Sequence, residues 1–231
     1  MIKKILSKDR YHAQHDWLST YHLFSFADYY DPSNMNFGAL RVFNDDTIDG
    51  ESGFGAHSHR DMEIVTIMLD GELTHQDNMG NTKTMKKGEV QYMSAGTGVT
   101  HAEMNNAKEQ IHLYQIWLMP KMRNLEPAYD QKDFSQMEKN ILVPVASDKD
   151  LDRAILIEAD AIIYKAELNK EKEIEHAVEN GRGVFVYVTE GTLEINGETF
   201  EKGDQARIEN EKSLSLSAKE GSKFVLIDVI L

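Results

Sequence analysis

The sequence predicts an all-β chain made of two tandem copies of one β unit, and three observations carry that reading. Between residues 40 and 120, short apolar and β-branched runs alternate with Gly, Asn and Asp at turn positions. A later stretch repeats this one: residues 65–68, Asp70-Gly71-Glu72-Leu73 and Lys87-Gly88-Glu89 are echoed by residues 185–188, Glu190-Gly191-Thr192-Leu193 and Lys202-Gly203-Asp204, with a turn five residues shorter in the second copy. Within that copy, Asn196-Gly197 separates two strand-type runs, and Asn-Gly is the preferred pair for a two-residue hairpin turn of type I′.

The elements follow in order. The N-terminal segment MIKKILSKDRYHAQHDWL holds too short an apolar run for a signal peptide. Strands are expected over residues 40–43, 63–69, 72–75, 90–93 and 111–118, with Asp70-Gly71, residues 77–81 and Lys87-Gly88 as turns that tolerate positive φ. From Lys121 to about Lys139 the rhythm is lost among charges and prolines, so a boundary is expected near residue 125. It divides a metal-binding domain, 1–125, from a structural copy without ligands, 126–231. Residues 169–180, with Gly181 placed like a helix stop, have helix-forming composition, whereas the repeat calls for a strand there. We follow the repeat, because tertiary pairing overrides propensity.

Composition excludes several classes. With 39 acidic against 25 basic residues the net charge is −14, which repels phosphate backbones and anionic membrane surfaces, so direct nucleic-acid binding is not expected. There is no cysteine, so any metal must be held by nitrogen and oxygen, and a reducing cytoplasm is compatible with that composition. No apolar run reaches the roughly 18 residues of a membrane-spanning helix. The P-loop, the Gly-x-Ser-x-Gly elbow and the dinucleotide-binding glycine pattern are missing.

What remains is a constellation of metal-ligand residues. His57 and His59 are answered 42 positions after His59 by His101 and Glu103, and the i, i+2 spacing of each pair puts two side chains on one face of a strand. Three imidazoles and a carboxylate suit Fe, Ni, Mn, Co or Zn far better than Ca, and in an octahedral ion they leave two positions for substrate and oxygen. Gly53, Gly55, Gly96 and Gly98 flank these residues and would let strands approach closely. Glu63, four residues past His59, shares its face if the strand is regular and competes with Glu103 as the carboxylate. His75 and His112 read as hydrogen-bonded core or rim histidines, and His12, His15 and His22 have no matching partner. The methionines near the site, Met62, Met68, Met85, Met93 and Met104, read as core filler. In the second copy the repeat offsets put Ala177, Glu179, Leu216 and Ala218 where the ligands would be, and His176 falls one residue out of register, so no metal is expected there.

The strings HSHRDMEIVTIMLDGELTHQDNMG and GEVQYMSAGTGVTHAEMN resemble the two-part signature of the pirin family in the cupin superfamily. Similarity continues through WLSTYHLFSFADYYDP, NFGALRVFNDD and IHLYQIWLMP and weakens over the second half. Ser58 and Asp61 depart from the family's usual Pro and Gly. The resemblance implies a bicupin of two β-barrel or jelly-roll domains with few short helices, and metal only in the first. It implies His57, His59, His101 and Glu103 as ligands, with Glu63 in reserve because many other cupins use that position.

The resemblance further implies a quercetin 2,3-dioxygenase, an oxidoreductase that cleaves a flavonol with O2 and releases carbon monoxide. Fe(II) ranks first as the ion, with Ni, Co, Mn, Cu or Zn as substitutes, and Glu103 would take the proton of the flavonol 3-hydroxyl. The alternative is a non-enzymatic metal-binding regulator acting through protein partners. Imidazole ligands must be neutral to bind, so affinity is expected to fall below roughly pH 6.

Overall fold

The computed structural model describes residues 1–231: twenty-one strands, one 3-10 turn at Ser7–Asp9 and no α-helix. No helix is long and apolar enough to cross a membrane. In the first half a seven-stranded sheet runs in the order Ala128–Asp133, Glu89–Ser94, Glu63–Asp70, Ile111–Leu118, Leu40–Ile48, Leu18–His22 and Tyr11–Gln14. A four-stranded sheet completes this barrel, in the order Ser52–His59, Val99–Asn105, Glu72–Asp77 and Thr82–Lys86. In the second half ten strands form one connected sheet. Its 14-residue strand Arg182–Ile195 bends from the path through Gln205–Glu209 and Ser222–Ile230 to pair with Glu198–Glu201 and Ser213–Ala218.

The duplication is visible in the backbone itself. Gly71 and Gly191 have φ of +79° and +72°, and Gly88 and Gly203 have φ of +89° and +82°, so the same left-handed corners recur in both copies. Asn196 and Gly197 both take positive φ, 49° and 83°, as a type I′ turn requires. The segment of helical composition forms the strand Lys172–Ala177, held by Ser213–Ala218. An isolated helix of this length is marginal in water, whereas the strand gains a full ladder.

Two strands cross the boundary expected near residue 125. Ile2–Ile5 edges the second-half sheet against Gln205–Glu209, and Ala128–Asp133 edges the first-half sheet against Glu89–Ser94. Each half thus closes an open sheet edge of the other, and a 26-residue apolar cluster is shared between them. At its centre the Phe43 ring lies 5.4 Å from Phe185 and 5.0 Å from Tyr187.

The two interiors are filled differently. A 15-residue apolar cluster, including Phe200, Leu214, Leu216 and Phe224, packs the second barrel. Leu216 pairs with Ile174 rather than with Ala177, and His176 is tied to Asp228 at 2.8 Å, so the matching place in the second copy is apolar. The first barrel holds smaller apolar clusters, of seven buried residues around Met68, Leu73 and Met85 and of three at Ile64, Met93 and Val99, and also buries polar side chains, among them His75, His101 and Glu103.

Candidate metal centre

The strand Val99–Asn105 alternates strictly, with Val99, His101, Glu103 and Asn105 buried and the residues between them less so. It lies between Ser52–His59 and Glu72–Asp77, so its inward side chains meet those of both neighbours. His101 stands opposite His57 on one side and Asp77 on the other, and Glu103 stands opposite His75. The register slips between His101 and Glu103, because the pairing on the other strand moves from His57 to Phe54, a bulge that brings Glu103 against Phe54. Here Gly53 is required: a Cβ at that position would sit 2.2 Å from the Glu103 carbonyl oxygen. Gly55 has open space instead, and its role is its carbonyl, which accepts the Nδ1 proton of His57 at 2.8 Å.

The structure brings His57, His59 and His101 together with ligand atoms within 4.8 Å of one another, a cluster capable of binding a metal ion. Glu103 groups with His101 and His75 within the same limit, so His101 belongs to both donor sets. The free atoms fit an ion. His101 Nε2 and Glu103 Oε1 are buried without any hydrogen-bond partner, an arrangement that is costly unless a cation satisfies them. Glu103 is oriented by Gln115, whose Nε2 donates to Oε2 at 2.9 Å, and Gln115 is held in turn by Trp117 Nε1 at 3.1 Å. His57 spends its Nδ1 proton on Gly55, which leaves Nε2 to present a lone pair.

Glu63 is not a member of either donor group. Asp61, in the left-handed region at φ 50°, turns the chain out of the four-stranded sheet, and Glu63 opens a strand of the seven-stranded one. Its carboxylate is fully engaged there: Oε1 accepts from Ser94 at 2.7 Å, and Oε2 accepts from Tyr92 and from the Glu158 backbone N–H of the second half. The shared face expected for Glu63 and His59 therefore does not exist. His112 lies at the seam between the halves, bonded to Asp45 at 2.6 Å. His75 is fully buried and bonded to Asp77 at 2.9 Å. Gln115 and Trp117 carry no signal as site residues in the sequence. His75 and Asp77 repeat the i, i+2 spacing of the ligand pairs, but only the strand register places them beneath the site.

Burial and the neighbouring imidazoles keep His59 and His101 neutral. Burial first, then the nearby His57, pushes His59 down to about 4, and burial followed by repulsion from His57, His59 and His75 pushes His101 down to about 3. Glu103 moves the other way, raised to about 7 by burial and further by the Asp46 charge, against the pull of its Gln115 bond. Glu103 therefore adds a carboxylate titration to the pH dependence of metal binding that the sequence assigned to the imidazoles. Above pH 7 the carboxylate is ionised, and below it a proton must be displaced by the metal. Nickel affinity should be level from pH 9 to about 7 and then fall by about tenfold per pH unit toward pH 5. Chelator competition at fixed pH measures this, and Glu103→Gln should flatten the slope.

Comparison with known proteins bears on both halves. Residues 5–118 match the Pirin family pattern, and residues 144–229 match the Quercetinase C-terminal cupin domain. The chain is 41% identical over 230 residues to the Quercetin 2,3-dioxygenase of Escherichia coli K12, covering 99% of each chain. It is 41% identical over 219 residues to a Pirin-like protein of Caulobacter vibrioides, covering 94% of each. The crystal structure of the bacterial pirin YhhW from Escherichia coli in complex with nickel(II) superposes with a TM-score of 0.95 at 40% identity, covering 100% of this chain and 99% of that one. With both halves matched and the likeness running end to end, the chain belongs to the pirin family, as a bicupin whose donor cluster lies in the N-terminal barrel.

Proposed function

We propose that the protein is a metal-dependent dioxygenase that cleaves a flavonol such as quercetin with O2 and releases carbon monoxide. His57, His59, His101 and Glu103 hold the ion, for which Fe(II) is the first choice. Nickel(II) is the ion found with the Escherichia coli relative, and Co, Mn, Cu or Zn are substitutes with the same nitrogen and oxygen preference. The observation that carries this reading is the pair of buried, partnerless donor atoms, His101 Nε2 and Glu103 Oε1, beside two further imidazoles.

A bound divalent ion supplies Lewis acidity toward the flavonol 3-hydroxyl and open coordination positions. The chain supplies the rest. Glu103, whose Oε1 has no hydrogen-bond partner in the protein, accepts the hydroxyl proton as general base. Aromatic rings rim the histidines: Trp117 stands edge-on to His59 at 4.9 Å, Phe26 meets Trp117 at 5.1 Å, and Phe54 lies 6.3 Å from His57. Such a rim suits a planar aromatic substrate. A cavity of about 550 Å³ lies at the seam between the two halves, lined among others by His112, Phe134, Lys165 and Phe224 and by none of the four proposed ligands.

The test loads the protein with Fe(II) or Ni(II) and follows quercetin absorbance, oxygen uptake and carbon monoxide together. Equal consumption of quercetin and oxygen, with carbon monoxide in the same amount, is the expected result. Metal-replete protein that leaves quercetin and oxygen unchanged removes the dioxygenase reading and favours the regulator acting through protein partners.

A further inference from the structure

Beneath the cluster, three buried side chains from two adjacent strands form one line of hydrogen bonds. Asp77 Oδ2 lies 2.9 Å from His75 Nε2, and His75 Nδ1 lies 3.3 Å from His101 Nδ1. The side chains of His75 and Asp77 are wholly removed from solvent, so no water substitutes for these bonds. The direction of each bond follows from the chemistry of its ends. An ionised carboxylate only accepts, so His75 carries its proton on Nε2 and donates it to Asp77. His75 Nδ1 then holds a lone pair, and the Gln91 side-chain amide N–H, 3.4 Å away, points at the same atom as a donor. The bond between the two imidazoles can form only if His101 donates from Nδ1. Its own lone pair is thereby confined to Nε2, the atom left buried and without a partner at the metal cluster.

We propose that Asp77 and His75 are positioning residues that set the tautomer of His101 through this chain of bonds and so make its Nε2 a metal ligand. The inference rests on the metal reading above and extends it to two residues outside the ligand set. It places a carboxylate two bonds behind a ligand imidazole, fixing ring orientation and raising the basicity of the coordinating nitrogen.

Asp77→Asn inverts the chain. The backbone N–H groups of Met79 and Asn81 donate to Oδ1 at 2.9 and 3.0 Å, so they retain the amide oxygen of the variant at that position. The amide NH2 then takes the place of Oδ2 and faces His75 Nε2, and Asn81, whose Nδ2 donates to Oδ2 at 2.8 Å in the wild type, turns its side-chain amide to present oxygen instead. His75 Nε2 becomes an acceptor, the His75 proton moves to Nδ1 and points at His101, and the His101 proton moves to Nε2, where it occupies the ligand lone pair. His75→Asn separates the two effects, because its side-chain oxygen falls where Nδ1 stood and still accepts from His101, which keeps the tautomer, while the link to the Asp77 carboxylate is lost.

The experiment records two-bond proton–nitrogen correlation spectra of 15N-histidine-labelled, metal-free protein, together with nickel(II) affinity by chelator competition. Expected are the Nδ1–H tautomer of His101 in the wild type and in His75→Asn, the Nε2–H tautomer in Asp77→Asn, and a fall in nickel affinity of about 10- to 100-fold in Asp77→Asn that exceeds the fall in His75→Asn. His101 protonated on Nε2 in the wild type, His75 protonated on both nitrogens, or unchanged nickel affinity in a folded Asp77→Asn overturns the proposal. If Asp77→Asn does not fold, the wild-type spectrum and His75→Asn decide. Wild-type protein that shows the assigned tautomers yet binds no nickel supports the hydrogen-bond chain and overturns the metal reading instead.

Discussion

His101→Ala should abolish specific metal binding and, with it, oxygen-dependent loss of quercetin. His101 is the donor common to both ligand groups, and it is buried to 2% exposure with its Nε2 aimed at no protein atom. Losing a hydrogen-bond partner of a ligand already costs about 10- to 100-fold in affinity, so losing the ligand itself should cost at least about 100-fold. Nickel competition titration measures the fall. Metal-free protein should tolerate the change, because the imidazole is held neutral in the folded chain against its preference. The sign is definite. His101 is pushed down to about 3 by burial and its imidazole neighbours, whereas in the unfolded chain it protonates near 6.5. As pH falls below 6.5 the unfolded state gains a proton that the folded state refuses, and stability declines through that window. His101→Ala removes this contribution, so thermal melting of the metal-free variant should depend less on pH between 6.5 and 4 than that of the wild type. A variant that binds nickel as the wild type does would exclude His101 from the centre.

Glu63→Ala should do the reverse, leaving one metal per chain while sharply lowering stability. The Glu63 carboxylate accepts from the hydroxyls of Tyr92 and Ser94 and from the backbone N–H of Glu158, and it is 0% exposed. Alanine orphans two buried hydroxyls and a part-buried backbone N–H at once. At about 1–3 kcal/mol for each of the two buried hydroxyls, the loss is on the order of 2–6 kcal/mol. Because Glu158 comes from the second half, the damage reaches the contact between the barrels as well as the first barrel. Thermal melting should record a large fall with metal stoichiometry retained in the protein that remains folded. Loss of metal at unchanged melting temperature would return Glu63 to the ligand set.

His101 and Glu63 mark where strand periodicity carries along the chain and where it stops. The pairs His57/His59 and His101/Glu103 were legible because side chains alternate along a strand, and periodicity of two survives whatever the strand packs against. Glu63 misled because counting along the chain assumes a continuous strand, whereas Asp61 turns the backbone with φ 50° and hands the chain to another sheet. Residues 169–180 illustrate the opposite balance: local composition favoured a helix, the repeat favoured a strand, and pairing with Ser213–Ala218 decided for the strand. The exchange of Ile2–Ile5 and Ala128–Asp133 between the halves had no local signature at all, since an edge strand is defined by the partner it meets.

Taken alone, the sequence determined an all-β duplicated chain, its turn glycines, and which residues in its first half offer nitrogen and oxygen donors, because these follow from side-chain chemistry and short-range periodicity. Tertiary structure decided which donors converge, which carboxylate stays free, and how His75, Asp77, Gln115 and Trp117 stand behind them. Those outcomes depend on strand register and on the bulge between His101 and Glu103, long-range properties that one residue of slip would reverse.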